Sequence, residues 1–302
     1  MVHTFYPVSL INPFSINYRN HRKIVVIDHC IGYFGGINIG DEYANADQKQ
    51  KYRHWRDTHI RVTGPTVQFL EKQFLVDWYT SSTKNQKLLE EIGSDTTKQQ
   101  LECYNTDNNA SYLPLRTKTE NVPVQLISAG PDEPKDDVIR DALVHTISRA
   151  KKSVYIESPY FTPDTVFFST LKIAALSGVD VQVVIPGDWD KWYVKKAAMP
   201  YIRDLQAYGV KFWFYPGFIH AKMFIVDETI VTIGSTNVDN RSFSLHFELN
   251  AFFYSKEFCR KCVDMFFDDR NISEPVTADY FKYVSIFRYA SWNFCKLFAP
   301  LM

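Results

Sequence analysis

The sequence has no apolar run of about 18 residues, the length a membrane-spanning helix needs, so nothing in it reads as a span, and no signal-peptide pattern opens it. It has no excess of either charge: 34 Lys and Arg stand against 34 Asp and Glu. A dedicated nucleic-acid binder shows a basic excess, so that class loses ground. Cysteines are few, at 30, 103, 259, 262 and 295. Their odd number and lack of framework spacing argue for reduced thiols in a cytoplasm-facing protein, not a disulfide scaffold. The lone C-x-x-C, Cys259 and Cys262, lies in the helix-like stretch FCRKCVDMFF without a second ligand pair, and reads as packing. What the chain does have is apolar and aromatic side chains, 45 % and 16 % of 302 residues. That is enough for one large or two medium folded domains.

Elements can be read along the chain. RKIVVID and IGYFGGINI, within residues 22–39, are strand-like and separated by turn residues. Residues 64–80 carry apolar positions at near-helical spacing. The polar stretch 81–120 reads as a connector. From Val122 strand and helix patterns alternate: VPVQLIS, DDVIRDALVHTISRA, KSVYIESPYF, FFSTLKIAALSG, VDVQVVIPG, YIRDLQAYG and VKFWFYP. Such alternation predicts an α/β fold with a mostly parallel sheet, and Gly178 and Gly209 stand where helices should stop.

Two segments repeat each other. His21, Lys23, Asp28, Gly35 and Asn38 recur as His220, Lys222, Asp227, Gly234 and Asn237, all at an offset of 199 (220 − 21), and Gly36 answers Ser235. Each copy reads H-x-K-x4-D-x6-G-[GS]-x-N. Five identities at one offset mark an internal duplication, and duplicated lobes pack naturally about a pseudo-twofold axis that brings their histidines face to face. The first lobe is assigned to residues 1–120 with its motif at 15–42, and the second to 121–302 with its motif at 214–241.

In a strand, residues i and i+2 share a face, so each His projects with its Lys. Two such pairs meeting at an interface make one pocket with two imidazoles and two ammonium groups, suited to a phosphate and requiring no metal or cofactor. Asn38, Asn237 and Ser235 are the candidate substrate contacts on the following turns. One neutral imidazole attacks phosphorus and forms a phosphohistidine; the other protonates the leaving alkoxide and later takes a proton from the incoming alcohol or water. A histidine among cations needs a carboxylate to hold its proton. Asp57 in WRDTH and Glu248 in LHFELN supply these, 36 and 28 residues (57 − 21 and 248 − 220) beyond the motif histidines, so this part of the repeat is out of register. Asp28 and Asp227 either close turns at strand ends or position Lys or substrate. His29, His54, His59, His145 and His246 have no duplicate and read as structural, and Tyr160 reads as core with pocket lining as the alternative.

These residues resemble the phospholipase D superfamily, whose signature is two HxKxxxxD motifs. NYRNHRKIVVID with GGINIGDEY, then WRDTHIRVTGP, ESPYFTPD, GFIHAKMFIVD and GSTNVDNRSFSLHFELN are similar to bacterial cardiolipin synthases over nearly the whole chain. The resemblance implies a phospholipase D-like fold of two pseudo-twofold-related α/β lobes and no cofactor. It also implies phosphatidyl transfer from one phosphatidylglycerol to the glycerol hydroxyl of another, with His21 as nucleophile and His220 as acid and base. Hydrolysis by water, or an inactive remnant, are the alternatives. The implied location is the cytoplasmic face of the cell membrane, with the bilayer surface as partner and no nucleic acid. The aromatic segment 281–298, with Lys282, Arg288 and Lys296, either lies in the bilayer interface or packs on the protein.

The second motif has 98 residues of elements before it (220 − 122), the first only 20. About 78 residues of α/β structure (98 − 20) are therefore expected to be missing from the first lobe. Relatives of this family also carry N-terminal membrane-spanning helices. The chain thus reads as an N-terminally shortened form with an incomplete first lobe, an exposed sheet edge and an apolar face.

Overall fold

The computed structural model describes Phe5 and residues 18–46, 54–81, 121–131 and 137–301. The expected connector at 81–120 lies, apart from Ser81, outside the described residues. In chain order the first part gives β1 (Arg19–Asn20), β2 (Ile24–Ile27), β3 (Ile31–Gly35), β4 (Trp55–Arg56), β5 (His59–Thr63) and α1 (Pro65–Thr80). Then follow β6 (Val124–Ala129), α2 (Val138–Ser148), β7 (Ser153–Glu157), β8 (Phe161–Thr162), α3 (Thr165–Leu176), β9 (Asp180–Pro186), α4 (Trp192–Gln206) and β10 (Lys211–Tyr215). The second motif spans β11 (Phe218–Ile219), β12 (Met223–Val226), β13 (Ile230–Gly234) and β14 (Val238–Asp239). The chain closes with α5 (Asn240–Ser244), β15 (His246–Phe253), α6 (Lys256–Asn271), β16 (Glu274–Pro275), α7 (Ala278–Lys282) and α8 (Ile286–Lys296).

The fold is α/β, built on a large mixed sheet in the order β1-β15-β13-β12-β7-β9-β10-β16, with β6 also on β15. Its parallel pairings are β7–β9 and β9–β10, joined by α3 and α4 as crossovers, and β1–β15 at one edge. Ser153–Glu157 is buried at every position and Asp180–Pro186 at all but its first, the pattern of strands covered on both faces. One face carries Leu143, Phe161, Phe167, Leu171 and Phe212. The other carries Met223, Ile225, Ile233, Cys259 and Phe266, and is completed by Phe34 and Leu70 from the first lobe. Cys259, Cys262 and Cys295 are free and buried, as packing residues are. Cys30 is instead disulfide-bonded to a partner outside the described residues, which corrects the expectation of reduced thiols there.

The duplication is exact in register. The β2–β3 hairpin pairs Ile24 with Phe34 and Ile27 with Ile31; the β12–β13 hairpin pairs Met223 with Ile233 and Val226 with Ile230, each at the offset of 199. Both turns put two consecutive residues at positive φ, Asp28 and His29 (50° and 59°) and Asp227 and Glu228 (51° and 56°). This is the tight hairpin geometry that Asp tolerates better than most residues. After the hairpins the offset changes to 191. Gly35 pairs with His59 as Gly234 pairs with Asn250 (250 − 59), and α1 and α6 start at 65 and 256. The first copy therefore holds eight more residues (199 − 191) between Asn38 and the second carboxylate segment.

The copies differ in what flanks them. The outer edge of β12 is taken by β7, antiparallel from Met223↔Glu157 to Val226↔Val154, and Phe224 and Val226 are 1 % and 5 % exposed. Among the described residues β2 pairs with β3 alone, and Val25 and Ile27 are 51 % and 43 % exposed. Among the described residues β2 is therefore an edge strand with two exposed apolar side chains.

The Asp227 carboxylate accepts the backbone N–H groups of Lys151, Lys152 and Ser153, at 2.7–3.0 Å. It anchors the start of β7 at the hairpin end remote from Lys222, and these bonds hold its pKa below the usual value against the effect of burial. Of the two roles considered for the motif aspartates, this is turn closure and strand anchoring; Asp28 occupies the matching turn. Asp227→Ala should lower stability by about 1–3 kcal/mol, from stranded N–H groups, measurable as a lower urea midpoint. Because the folded pKa is depressed, the stabilisation is present above the unfolded value and fades as pH falls through the folded one, so the gap between parent and variant should narrow in acid.

Candidate active site

Each H-x-K segment is a short extended link between a two-residue strand and its hairpin, and the two-residue strand pairs with the opposite lobe. β1 runs parallel to the start of β15, Arg19 against His246, and the His21 N–H donates to the Phe247 carbonyl at 2.9 Å. β11 runs parallel to β4, Phe218 against Trp55, and the His220 N–H donates to the Arg56 carbonyl at 2.6 Å. The residue after each acceptor is a carboxylate. The pairing is therefore crossed: His21 Nδ1 lies 3.0 and 3.1 Å from the Glu248 oxygens, and His220 Nδ1 lies 2.7 Å from Asp57 Oδ2. The sequence reading has the two carboxylates orient the imidazoles without assigning either to a particular histidine, and it places them out of register, which the structure corrects. Under the 191 offset Asp57 and Glu248 are equivalent (248 − 57).

The lysines obey the same symmetry. Lys23 Nζ donates to the His21 carbonyl and Lys222 Nζ to the His220 carbonyl, each at 2.6 Å. Lys222 Nζ also lies 2.7 and 2.9 Å from the His220 ring nitrogens. Burial lowers Lys23 to about 8 and Lys222 to about 7. It also lowers both histidines: His21 against the pull of Glu248, and His220 much further, because Lys222 and Lys23 add to the effect. The carboxylates diverge. Burial raises Asp57 to about 6, with Lys222 and the Thr58 N–H opposing. Burial also opposes ionisation of Glu248, but His21 and His246 overcome it and hold the group well below the usual range.

Both imidazoles line one cavity of about 460 Å³ between the lobes, with Asn38 and Asn237 also on its wall. Asn237 is buried, whereas Asn38 is exposed and donates to the Tyr43 hydroxyl at 2.5 Å. Ser235 is not on the wall. Its buried hydroxyl donates to Glu248 Oε2 and accepts the Leu249 N–H at 3.0 Å, so it holds the carboxylate instead of meeting substrate. At the equivalent position Gly36 leaves room for Asp57; a Cβ there would sit 2.1 Å from Asp57 Oδ1. Tyr160, read as core, lines the cavity and donates to Asp190 at 2.6 Å.

Trp55 and His246 are two of the wall residues that the sequence reading does not place at the site. Trp55 lies with its ring centroid 5.6 Å from that of His220, and His246 lies 5.4 Å from His21. They are equivalent under the 191 offset (246 − 55), the signal that would have found them. Among the described residues His21, His246 and Glu248 also form a trio of potential metal ligands, within 4.8 Å of one another, but they are the histidine–carboxylate pair and its neighbour.

Arginines tie this frame together. Arg22 donates from Nε to the Glu248 carbonyl and from Nη2 to the Ala129 carbonyl, at 3.1 and 2.8 Å, and pairs with Asp77 of α1. Arg56 pairs with Asp269 of α6 at 2.9 Å. Asp269 in turn faces the fully buried Glu157, whose pKa is raised far above the carboxylate range by burial and by Asp269, with Arg56 opposing. The folded chain thus keeps on Glu157 a proton that the unfolded chain releases near the ordinary value, so stability falls as pH rises through this window. Glu157→Gln should remove that slope: its urea midpoint should gain on the parent's between about pH 5 and pH 8.

Two family models match the chain, one described as cardiolipin synthase, PLD-like domain, over residues 143–270, and one as phospholipase D over 40–185. A cardiolipin synthase of Listeria monocytogenes serotype 4a (strain HCC23) is 38 % identical over 100 % of this chain. Cardiolipin synthase 2 of Staphylococcus epidermidis (strain ATCC 35984) is 38 % identical over 91 % of it. The chain spans 58 % and 52 % of the lengths of these relatives. The solved phosphatidylserine synthase of Haemophilus influenzae Rd KW20 aligns over 95 % of this chain and 70 % of its own, with a TM-score of 0.64 at 13 % identity, a likeness of fold. With its paired H-x-K links and these matches, the chain belongs to the phospholipase D superfamily, among its cardiolipin synthase-like members.

Proposed function

We propose that this chain carries the phosphatidyl-transfer centre of a cardiolipin synthase, acting on phosphatidylglycerol at a membrane surface on its cytoplasmic face, with residues 1–120 and 121–302 as its two lobes. One observation carries the reading: two imidazoles on one cavity wall, each with Nδ1 held by a buried carboxylate from the other lobe. A carboxylate at Nδ1 would keep the proton there and leave Nε2 as the reacting nitrogen, the requirement for attack on phosphorus. The reaction uses no cofactor, because exchange of one phosphodiester for another is close to isoenergetic.

His21 is the favoured nucleophile. Bond formation between its Nε2 and phosphorus leaves a cationic ring, and Glu248, ionised throughout, is the neighbour best able to stabilise it. As the P–O bond to the first glycerol breaks, the alkoxide takes a proton from His220. His220 then removes the hydroxyl proton of the second phosphatidylglycerol, whose oxygen attacks phosphorus and releases His21. An anionic diester raises the proton affinity of His220, Lys23 and Lys222 on entry, offsetting the burial that lowers them in the empty site. Asn237, on the cavity wall, would receive a non-bridging oxygen; the lysines, which donate to the histidine carbonyls and do not line the cavity, lend it their positive charge from behind. No helix of the described residues is long and apolar enough to cross a membrane.

Product analysis with labelled phosphatidylglycerol tests the reading. Cardiolipin plus glycerol supports it; phosphatidic acid alone would instead make the chain a hydrolase. Acid-free quenching should trap the phosphatidyl label on the protein, and His21→Ala should abolish that label. Both His21→Ala and His220→Ala should lose roughly 10³-fold or more in turnover. Gly36→Ala should push Asp57 off His220 and lower kcat by roughly 100-fold, while Ser235→Gly, which removes one hydrogen bond to Glu248, should cost only about tenfold.

A further inference from the structure

The rim of the cavity has its own composition. Its first-lobe lip is the loop bearing Asn38 and Tyr43, and between them Ile39 is completely exposed, at 107 %. Its second-lobe lip is the start of α4, where Lys191 and Tyr193 face the cavity and Trp192 between them is 67 % exposed. A large apolar side chain therefore stands in water on each side of one opening, and neither contributes to a core. Isolated exposed hydrophobes are ordinary, but a pair bracketing a polar cavity is the pattern of an interaction site. Tryptophan in particular suits a surface that is apolar below and wet above.

Charge distinguishes the two lips. Lys196 Nζ lies 4.9 Å from the Trp192 ring centroid, and Lys191 Nζ lies 5.2 Å from that of Tyr160 on the cavity wall. The second lip also holds Asp188 and Asp190 beside Lys191, Lys195 and Lys196, a small basic balance, whereas the first lip carries Asp41 and Glu42 with no Lys or Arg in residues 36–46. An anionic surface is attracted by the second lip and repelled by the first, which favours approach with the α4 side deeper. Exposed Phe287 and Phe294 of α8, at 85 % and 63 %, form a further apolar surface, but neither lines the cavity.

We propose that this rim is the membrane-docking face. Trp192 and Ile39 insert at headgroup depth in an anionic bilayer, and Lys191 and Lys196 meet its phosphates. A headgroup then enters the cavity while its acyl chains stay in the bilayer. The proposal rests on the phosphatidyl-transfer reading for its purpose, but its test does not need turnover. The full chain is sedimented with phosphatidylcholine vesicles containing or lacking phosphatidylglycerol, as the parent, as Trp192→Ser with Ile39→Ser, and as Phe287→Ser with Phe294→Ser. Circular dichroism confirms that each is folded. The parent should bind the anionic vesicles, the rim variant should bind roughly 30-fold more weakly, and the α8 variant should stay within about threefold of the parent. Tryptophan emission should shift to the blue on binding, and Trp192→Phe should remove most of the shift. Parent and rim variant binding alike, loss of binding in the α8 variant alone, or no vesicle binding by the parent would each overturn the docking face. Separately, a parent that binds vesicles yet yields neither cardiolipin nor phosphatidic acid refutes the catalytic reading and leaves the docking result standing.

Discussion

The site depends on a crossed exchange between the lobes. Each motif histidine is held by a strand of the opposite lobe, which accepts its N–H and then supplies the carboxylate for its Nδ1. Neither motif histidine takes its carboxylate from its own lobe. Asp57 and Glu248 are both shielded from water, at 3 % and 0 % side-chain exposure. Removing the partner of a buried charge costs about 3–5 kcal/mol, a large share of the 5–15 kcal/mol that a typical domain has. Lobe association and catalytic geometry are consequently one property, enforced by the same bonds.

The pseudo-symmetry is close but not complete, and its defects carry chemical content. Gly36 and Ser235 occupy equivalent positions, yet one makes room for a carboxylate and the other donates to one. Trp55 and His246 are equivalent too, and one is a flat apolar neighbour for an imidazole while the other is an imidazole itself. As a result Glu248 is surrounded by donors and stays ionised, whereas burial pushes Asp57 to about 6. A two-step transfer needs one ring that can bear a lasting positive charge and one that hands protons back and forth. Under the proposed transfer, the asymmetric pair of carboxylates would supply that division, which a perfect duplicate could not.

Much of this was legible in the sequence because it is periodic. The offset of 199 identified both histidines, both lysines, both asparagines and the hairpins that carry them, and the alternation after Val122 identified the α/β architecture. The crossed pairing was not legible, since strand exchange between lobes leaves no mark on local spacing. Eight extra residues before Trp55 also hid the equivalence of Asp57 with Glu248, and with it the role of His246, which read as structural. Ser235 was misplaced for a related reason: a serine beside a phosphate-binding motif suggests a substrate contact, but its direction depends on where Leu249 and Glu248 pass behind it. The motif aspartates left two roles open, and only the three N–H groups at the start of β7 showed what Asp227 does.

The crossed exchange also bears on traffic. A clamshell that swung its halves apart to admit a bulky double-tailed molecule would unzip β1 from β15 and β11 from β4 and strand two shielded anions at once. Swinging open in that way would cost both buried pairs together, so under the proposed transfer the existing mouth of the cavity is the cheaper way in and out.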